Sequence, residues 1–150
     1  MLVDTRKIVE AVFTKLGLKA ESLLVSEASD RVVYQLRRGS ADVLVVLAED
    51  GEGDAPSRGY VRIVAPVMVP PPDDDVRLRL FERLLSLNAS GLHNAAFGFH
   101  EGKVIVVSER PSAHLEVGEV EQMVKHLSAV ADTFDDRLVK EFGGKRASDA

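Results

Sequence analysis

Residues 94–108 read NAAFGFHEGKVIVVS, a sequence typical of a tight antiparallel hairpin. In its first half large and small side chains alternate, so that Phe97 and Phe99 flank Gly98. Glu101 and Gly102 then supply a two-residue loop, after which an apolar run returns along the first strand. The stretch therefore predicts two paired strands, at 95–100 and 103–108.

The remaining elements follow from the spacing of apolar residues on either side of this hairpin. Apolar positions recur at helical spacing in three segments, which predict helices at 5–16, 75–87 and 119–142. Alternating or continuous apolar runs predict strands at 31–37, 42–48 and 60–69. The resulting order, α-β-β-β-α-β-β-α with short loops between strands, predicts an α+β fold in which an antiparallel sheet packs against helices.

Some local features refine this outline. The run 42–48 is apolar on both faces and predicts an interior strand, whereas Pro66 predicts that the strand 60–69 lies at an edge or is bulged there. Residues 21–29 fit either a short strand or a helix end and stay unassigned. We expect residues 1–144 to form a single domain and residues 145–150 to be a disordered tail.

Composition and charge exclude several classes of protein. The 150 residues carry a net charge of −5 with acidic residues spread along the chain, so no cationic face predicts binding to nucleic acid. No apolar run is long enough to cross a bilayer, and residues 1–10 do not resemble a secretory signal, so we expect no membrane partner. The absence of cysteine excludes disulfides and thiolate chemistry and is compatible with a cytoplasmic protein.

Motifs for catalysis or metal binding are also missing from the sequence. The imidazoles have no helical i, i+4 pairing that would hold a metal; they are His93, His100, His114 and His126. The acidic loop 49–54 lacks the glutamate that would complete a calcium-binding loop, and Asp73–Asp75 are explained by the start of a helix. We therefore predict no catalytic residue, cofactor or metal; an enzyme would need a polar pocket that unites His93 or His114 with carboxylates.

Two features point instead to contacts with other polypeptides. Apolar residues cover most of the predicted helix 75–87, so it has one face for its own sheet and a second for a partner. Tyr34 and Tyr60 lie near charged residues and are the aromatic side chains predicted to reach the surface. Neither feature names the partner.

The second half of the chain resembles the YbjN family and the related type III secretion chaperone superfamily. The resemblance rests on the segment LLSLN at 84–88, on AAFGF at 95–99 with its Glu101-Gly102 turn, and on the terminal helix. In that helix it is carried by Ala131-Asp132, Asp135-Asp136, Leu138 and the closing Phe142-Gly143-Gly144. Gly118 stands where the family often has a polar helix cap.

The resemblance implies a homodimeric module that binds a peptide segment of an unidentified client protein without enzymatic activity. It implies that the dimer forms through the second helix and the hairpin, with Leu78, Phe81, Leu85, Phe97 and Phe99 as interface candidates. Candidates for contact with the client are Tyr34, Leu36 and Tyr60, beside an exposed strand edge that offers main-chain hydrogen bonds. The alternative is a small sensory or transcriptional regulator domain of the YbjN type that acts on signalling proteins.

Overall fold

The computed structural model describes residues 2–50 and 58–150 of the chain. The predicted acidic loop therefore lies largely outside the described residues. The elements are α1 (Leu2–Lys15), α2 (Ala20–Leu23), β1 (Leu24–Glu27), β2 (Arg31–Arg38), β3 (Ala41–Asp50), β4 (Arg58–Val69), α3 (Asp74–Ser90), β5 (Ala96–His100), β6 (Lys103–Pro111), α4 (Val117–Phe142), β7 (Lys145–Arg146) and a 3-10 turn (Ala147–Asp149).

All described strands belong to one antiparallel sheet in the order β1-β2-β3-β4-β6-β5, with β7 paired to β4. This confirms the predicted α+β class and the predicted hairpin, in which His100 pairs with Lys103 across the two-residue loop. The register of β4 against β6 shifts between Pro66 and Met68, so the strand is bulged there, one of the two alternatives that the proline predicts.

The core lies between one face of the sheet and the helices α1 and α4, which contact β3 and β4. Alternate residues of β3 point into it, because successive side chains of a strand face opposite sides; Val43, Val45 and Leu47 are fully buried. The helices contribute apolar stripes that include Val12 and Phe13 of α1. Helix α3 packs against β5 and α4 at one end of this layer.

The helix ends agree with simple capping chemistry, with one correction. The carboxylate of Asp73 accepts a hydrogen bond from the Val76 amide at 3.0 Å, and Gly91 ends α3 with a φ of 98°. Helix α4 begins at Val117 rather than at 119, because Glu116 is its N-cap and forms a reciprocal capping box with Glu119. Gly118 is thus inside the first turn and is not the cap.

Two segments differ from the sequence-based expectation. The unassigned residues 21–29 contain both a helix end and a short strand, because α2 leads directly into β1. The expectation of a disordered tail is wrong: Lys145 and Arg146 pair with Val69 and Met68 of β4, and the Arg146 guanidinium bonds the Asp136 carboxylate of α4 at 3.3 Å. A backbone ladder and an ion pair hold residues that the sequence pattern alone leaves unsupported.

Candidate partner-binding surfaces

Leu78, Phe81 and Leu85 of α3 and Phe99 of β5 form one apolar surface, here called the α3 patch. Leu78, Leu85 and Phe99 are 59%, 68% and 45% exposed, and Phe81 is half-buried between them and the core. The rings of Phe81 and Phe99 lie 5.2 Å apart, and the guanidinium of Arg77 sits over both, at 5.6 and 5.4 Å from their centroids. Four of the five predicted interface residues are therefore adjacent.

Helical geometry explains why this patch faces away from the core. Leu80 and Leu84 lie on the inner side of α3 and are buried. Leu78 and Leu85 are seven residues apart and share the opposite side, because seven residues make about two helical turns. An exposed cluster of large apolar side chains is uncommon on an isolated domain and is typical of an interaction surface.

Phe97 is almost fully buried but lines the same small cavity as Phe81, Leu85 and Phe99, so its place at an interface stays a prediction. Its side chain is buried and meets the ring of Phe134 edge-on at 5.4 Å. The alternation of β5 does place Phe97 and Phe99 on one side of the strand. Phe97 lies under α4, however, whereas Phe99 lies next to the hairpin loop, where α4 no longer covers it.

The side chain of Asn88 closes the outer edge of β5 at Phe97. Its Nδ2 donates to the Phe97 carbonyl at 3.1 Å, and its Oδ1 accepts from the Phe97 amide at 2.7 Å. A single amide group thus takes both main-chain positions that a neighbouring strand would use. The sequence gives no sign of this role, because Asn88 only ends an apolar helix pattern there.

Strand β1 forms the opposite edge of the sheet and, within residues 2–50 and 58–150, pairs with β2 alone. The amide of Ala28 donates to the Arg31 carbonyl at 2.8 Å, so the main-chain groups of Glu27, one residue earlier, point away from β2. Val25 occupies a bulge in this strand and is 57% exposed. A cavity of about 330 Å³ lies beside it and is lined in part by Leu23, Leu36 and Arg37.

The predicted client-binding residues occupy different environments. Tyr34 is fully buried and Leu36 is almost so, because both share with Val32 the side of β2 that faces the core. The expectation that the Tyr34 ring lies at the surface is therefore wrong; it packs edge-on against Phe13 at 5.0 Å. Tyr60 is half-buried and pairs in register with Ala48 and Pro111.

A polar cluster at the end of the Tyr34 ring ties α1 to both β2 and β1. The Tyr34 hydroxyl donates to Glu10 Oε1 at 2.6 Å, while Arg6 Nε donates to the same carboxylate oxygen and to the hydroxyl at 3.0 Å each. Arg6 also pairs with Glu27 of β1. Burial and the hydrogen bond to Glu10 raise the pKa of Tyr34 to about 12, and the hydrogen bond from Tyr34 lowers the pKa of Glu10.

A cavity of about 600 Å³ unites histidines with carboxylates at the start of α4. Its carboxylates are already engaged, however: Glu119 accepts from the Glu116 amide at 3.0 Å and from Arg110 at 3.2 Å. His126 Nε2 contacts the Leu92 carbonyl at 2.5 Å, and His93 lines the cavity without a hydrogen bond to either glutamate. A pocket that unites His93 with carboxylates, the condition set for an enzyme, is therefore present, but no hydrogen bond joins His93 to Glu116 or Glu119 among the described residues.

Two further observations concern the described chain as a whole. Within residues 2–50 and 58–150, no three His, Cys, Asp or Glu side chains are grouped as ligands for a metal ion. None of the helices in that same part of the chain has the length and apolar character that crossing a membrane requires.

An antiparallel sheet with helices on one face, an exposed apolar patch and a free strand edge defines a protein-binding domain of the α+β class. The chain belongs to the family of T3SS (YopN, CesT) and YbjN peptide-binding chaperones, type 1, whose model matches residues 4–150. This confirms the resemblance seen in the sequence and extends it over nearly the whole chain. No curated protein matches the chain significantly.

Solved structures share the fold at low sequence identity. The ExsC–ExsE complex contains a chain 20% identical, with a TM-score of 0.64 over 92% of this chain and 96% of that one. The heterodimeric complex ExoU–SpcU of the type III secretion system of Pseudomonas aeruginosa contains a chain 16% identical, with a TM-score of 0.57 over 89% of this chain and 97% of that one. The HopA1–SchA chaperone–effector complex contains a chain 14% identical, with a TM-score of 0.55 over 87% of this chain and 92% of that one. Neither the family nor these structures support the regulator alternative.

Proposed function

We propose that this chain is a non-enzymatic chaperone that works as a homodimer and holds an extended segment of a client protein. The observation that carries the proposal is the α3 patch, an exposed apolar surface on a member of a peptide-binding chaperone family. The three similar structures are complexes between two different proteins, which supports a protein client. A cytoplasmic location is part of the same proposal and is compatible with a cysteine-free chain.

The second copy of the chain is the occupant proposed for the α3 patch. Leu78 and Leu85 lie on the two sides of Phe81 along α3, so a two-fold axis beside Phe81 brings Leu78 of one copy against Leu85 of the other. Such an antiparallel contact is self-complementary. Its polar rim includes Arg77 and Glu82, which carry opposite charges.

The client is proposed to add as a strand to the free edge at β1. Main-chain groups that point outward at Glu27 supply hydrogen bonds, and the cavity beside Val25 accepts an apolar side chain. The other edge is less suitable because Asn88 already takes the main-chain positions of Phe97. Tyr60 remains a proposed contact for a client that continues over the half-buried side of the sheet.

Sedimentation equilibrium of Leu85→Glu against Ser86→Glu tests the dimer. Both variants add one negative charge to an exposed position of α3, but residue 86 points about 140° around the helix from Phe81. We expect the wild type and Ser86→Glu to sediment at twice the chain mass of 16.3 kDa and Leu85→Glu at 16.3 kDa. A wild-type protein that stays monomeric at micromolar concentration contradicts the proposed dimer.

Client binding is tested with an array of overlapping peptides from the proteins encoded beside the gene of this chain. We expect an extended segment of one such protein to bind, Val25→Pro to abolish binding, and Val25→Thr to preserve it. Proline on an edge strand blocks pairing with a new strand, whereas threonine keeps both the strand and the side-chain shape. Equal binding by all three proteins excludes β1 as the client site.

A further inference from the structure

Residues 143–150 cover a part of β4 that β3 leaves unpaired. The β3–β4 ladder ends at Leu44 and Val64, although β4 continues to Val69. Met68 pairs with Val104 of β6 on one side and with Arg146 of β7 on the other. The segment 143–150 therefore lies on the edge of β4 that faces β3, beyond the last β3–β4 pair.

The backbone of this segment fits closely, but its side chains hold it only loosely. A Cβ atom on Gly144 would lie 2.2 Å from the Val69 carbonyl oxygen, so only glycine allows the chain to approach β4 so closely. None of the residues 145–150 is buried. Besides the two-residue ladder and the contact of the 3-10 turn with β4, Arg146 links the segment to α4 by its bond to Asp136 at 3.3 Å, while its bonds to Asp149 at 2.8 and 3.2 Å lie within the segment. Exposed ion pairs of this kind contribute little stability.

We propose that the β4 edge at Met68 and Val69 is a second strand-binding site, and that residues 143–150 are its displaceable intramolecular occupant. When the segment leaves, those main-chain groups of Met68 and Val69 that face this edge become available to another extended peptide. The edge is shielded until then, which limits the unpaired strand surface that would otherwise promote aggregation. The site is distinct from both β1 and the α3 patch.

The chemistry of the present occupant indicates what can replace it. The replacing peptide needs glycine, or another close main-chain approach, opposite Val69, and a basic residue that reaches Asp136, which is exposed on α4. An extended Gly-basic segment meets both requirements. The identification of this peptide as part of a client rests on the proposed function, whereas displacement of residues 143–150 does not.

Limited trypsin digestion measures the displacement, because trypsin cuts after lysine and arginine and the segment contains Lys145. Arg146→Ala removes the ion pairs but keeps that cleavage site. We expect cleavage after Lys145 to be about 2–5-fold faster than in the wild type, the effect of losing the one exposed charge pair that links the segment to α4. Arg62→Ala, which removes a comparable surface pair with Glu109, is the matched control and should leave the rate unchanged. Wild-type and Arg146→Ala proteins cut at the same rate would overturn the proposal.

Occupancy by a separate peptide is tested with the synthetic octapeptide GGKRASDA, which has the sequence of residues 143–150. Gly144→Val in the full chain excludes its own segment from β4. The peptide should then shift the amide NMR signals of Met68 and Val69 in this variant and leave them unchanged in the wild type. The peptide GVKRASDA is the control and should bind neither protein. No shift in Gly144→Val, or equal shifts in both proteins, rejects the second site.

These measurements need neither a client nor the dimer. Failure of the proposed function would appear as a monomeric wild type or as the absence of client binding at β1. Failure of the second site would appear in the digestion and the peptide titration alone, so the two outcomes can be told apart.

Discussion

The hydroxyl of Tyr34 joins three parts of the fold at a single point. It lies at the end of a buried ring on β2, bonds Glu10 of α1, and meets Arg6, which in turn reaches Glu27 on the edge strand β1. The cluster therefore positions the proposed client edge relative to the core. A buried hydroxyl of this kind has to find a partner, because an unsatisfied one would cost free energy.

Tyr34→Phe should lower the free energy of unfolding at pH 7 by about 1.5–3 kcal/mol, the range for loss of a hydrogen bond to a charged group. The phenylalanine ring keeps its packing against Phe13, so cavity formation does not contribute. Urea denaturation measures the change. Tyr60→Phe is the control, since the Tyr60 hydroxyl makes no hydrogen bond within the described residues. Equal losses in the two variants would contradict the role given to the cluster.

The same variant has a defined pH dependence. The pKa of Glu10 is lowered in the folded state, chiefly by Tyr34, so the ionised carboxylate stabilises the protein above its unfolded pKa of about 4.3. That contribution is lost as the pH falls through the folded pKa. The difference in stability between the wild type and Tyr34→Phe should therefore shrink between pH 7 and pH 3. A difference that stays constant over this range would rule out the linkage.

Only part of the environment of Tyr34 could be predicted from the sequence. Tyr34 alternates with Val32 and Leu36, which already indicates that its side chain faces the core. This two-residue alternation is stronger evidence for burial than nearby charged residues are for exposure. The partner of the Tyr34 hydroxyl could not be predicted, because Glu10 is 24 residues away and is brought near only by the packing of α1. The same holds for Asn88, whose role depends on how α3 lies against β5.

At the level of elements, the Asn88 amide acts as a substitute strand beside β5. Asn88→Ala leaves the Phe97 amide and carbonyl without their partners, and we expect a loss of about 1–2 kcal/mol in the free energy of unfolding. Asn88→Asp retains the acceptor for the Phe97 amide but sets a carboxylate oxygen against the Phe97 carbonyl, so its loss should be at least as large. Thermal or urea unfolding of the three proteins checks this order. An Asn88→Ala variant as stable as the wild type would show that the bonds to Phe97 are dispensable.

Long elements were predictable from their period, and short ones were not. The α3 and α4 segments and the strands of the 95–108 hairpin repeat their pattern often enough to be assigned from sequence. Strands β1 and β7 have four and two residues, too few for any alternation to be recognised. Their formation is decided by the backbone partner available on β2 or β4.

For the whole molecule, salt should affect contacts between charged groups and contacts between apolar surfaces differently. Each copy carries a net charge of −5, so two copies repel one another weakly, while the α3 patch that is proposed to join them is apolar. Residues 143–150, in contrast, are held by the two-residue ladder and by one exposed ion pair, between Arg146 and Asp136 of α4. Salt shortens the range of both the repulsion and the attraction within this pair but leaves apolar contact intact.

Raising NaCl from 50 to 500 mM shortens the Debye length from about 14 to about 4 Å. It should therefore affect the proposed dimer contact and the attachment of residues 143–150 differently. The dimer dissociation constant, from sedimentation equilibrium, should stay the same or fall, because the repulsion is screened. Trypsin cleavage after Lys145 should become faster over the same range, with Arg146→Ala as the control in which salt has little further effect. Dissociation of the dimer by salt would show that ion pairs rather than the α3 patch hold the copies together, and a cleavage rate indifferent to salt would show that the β7 ladder alone retains the segment.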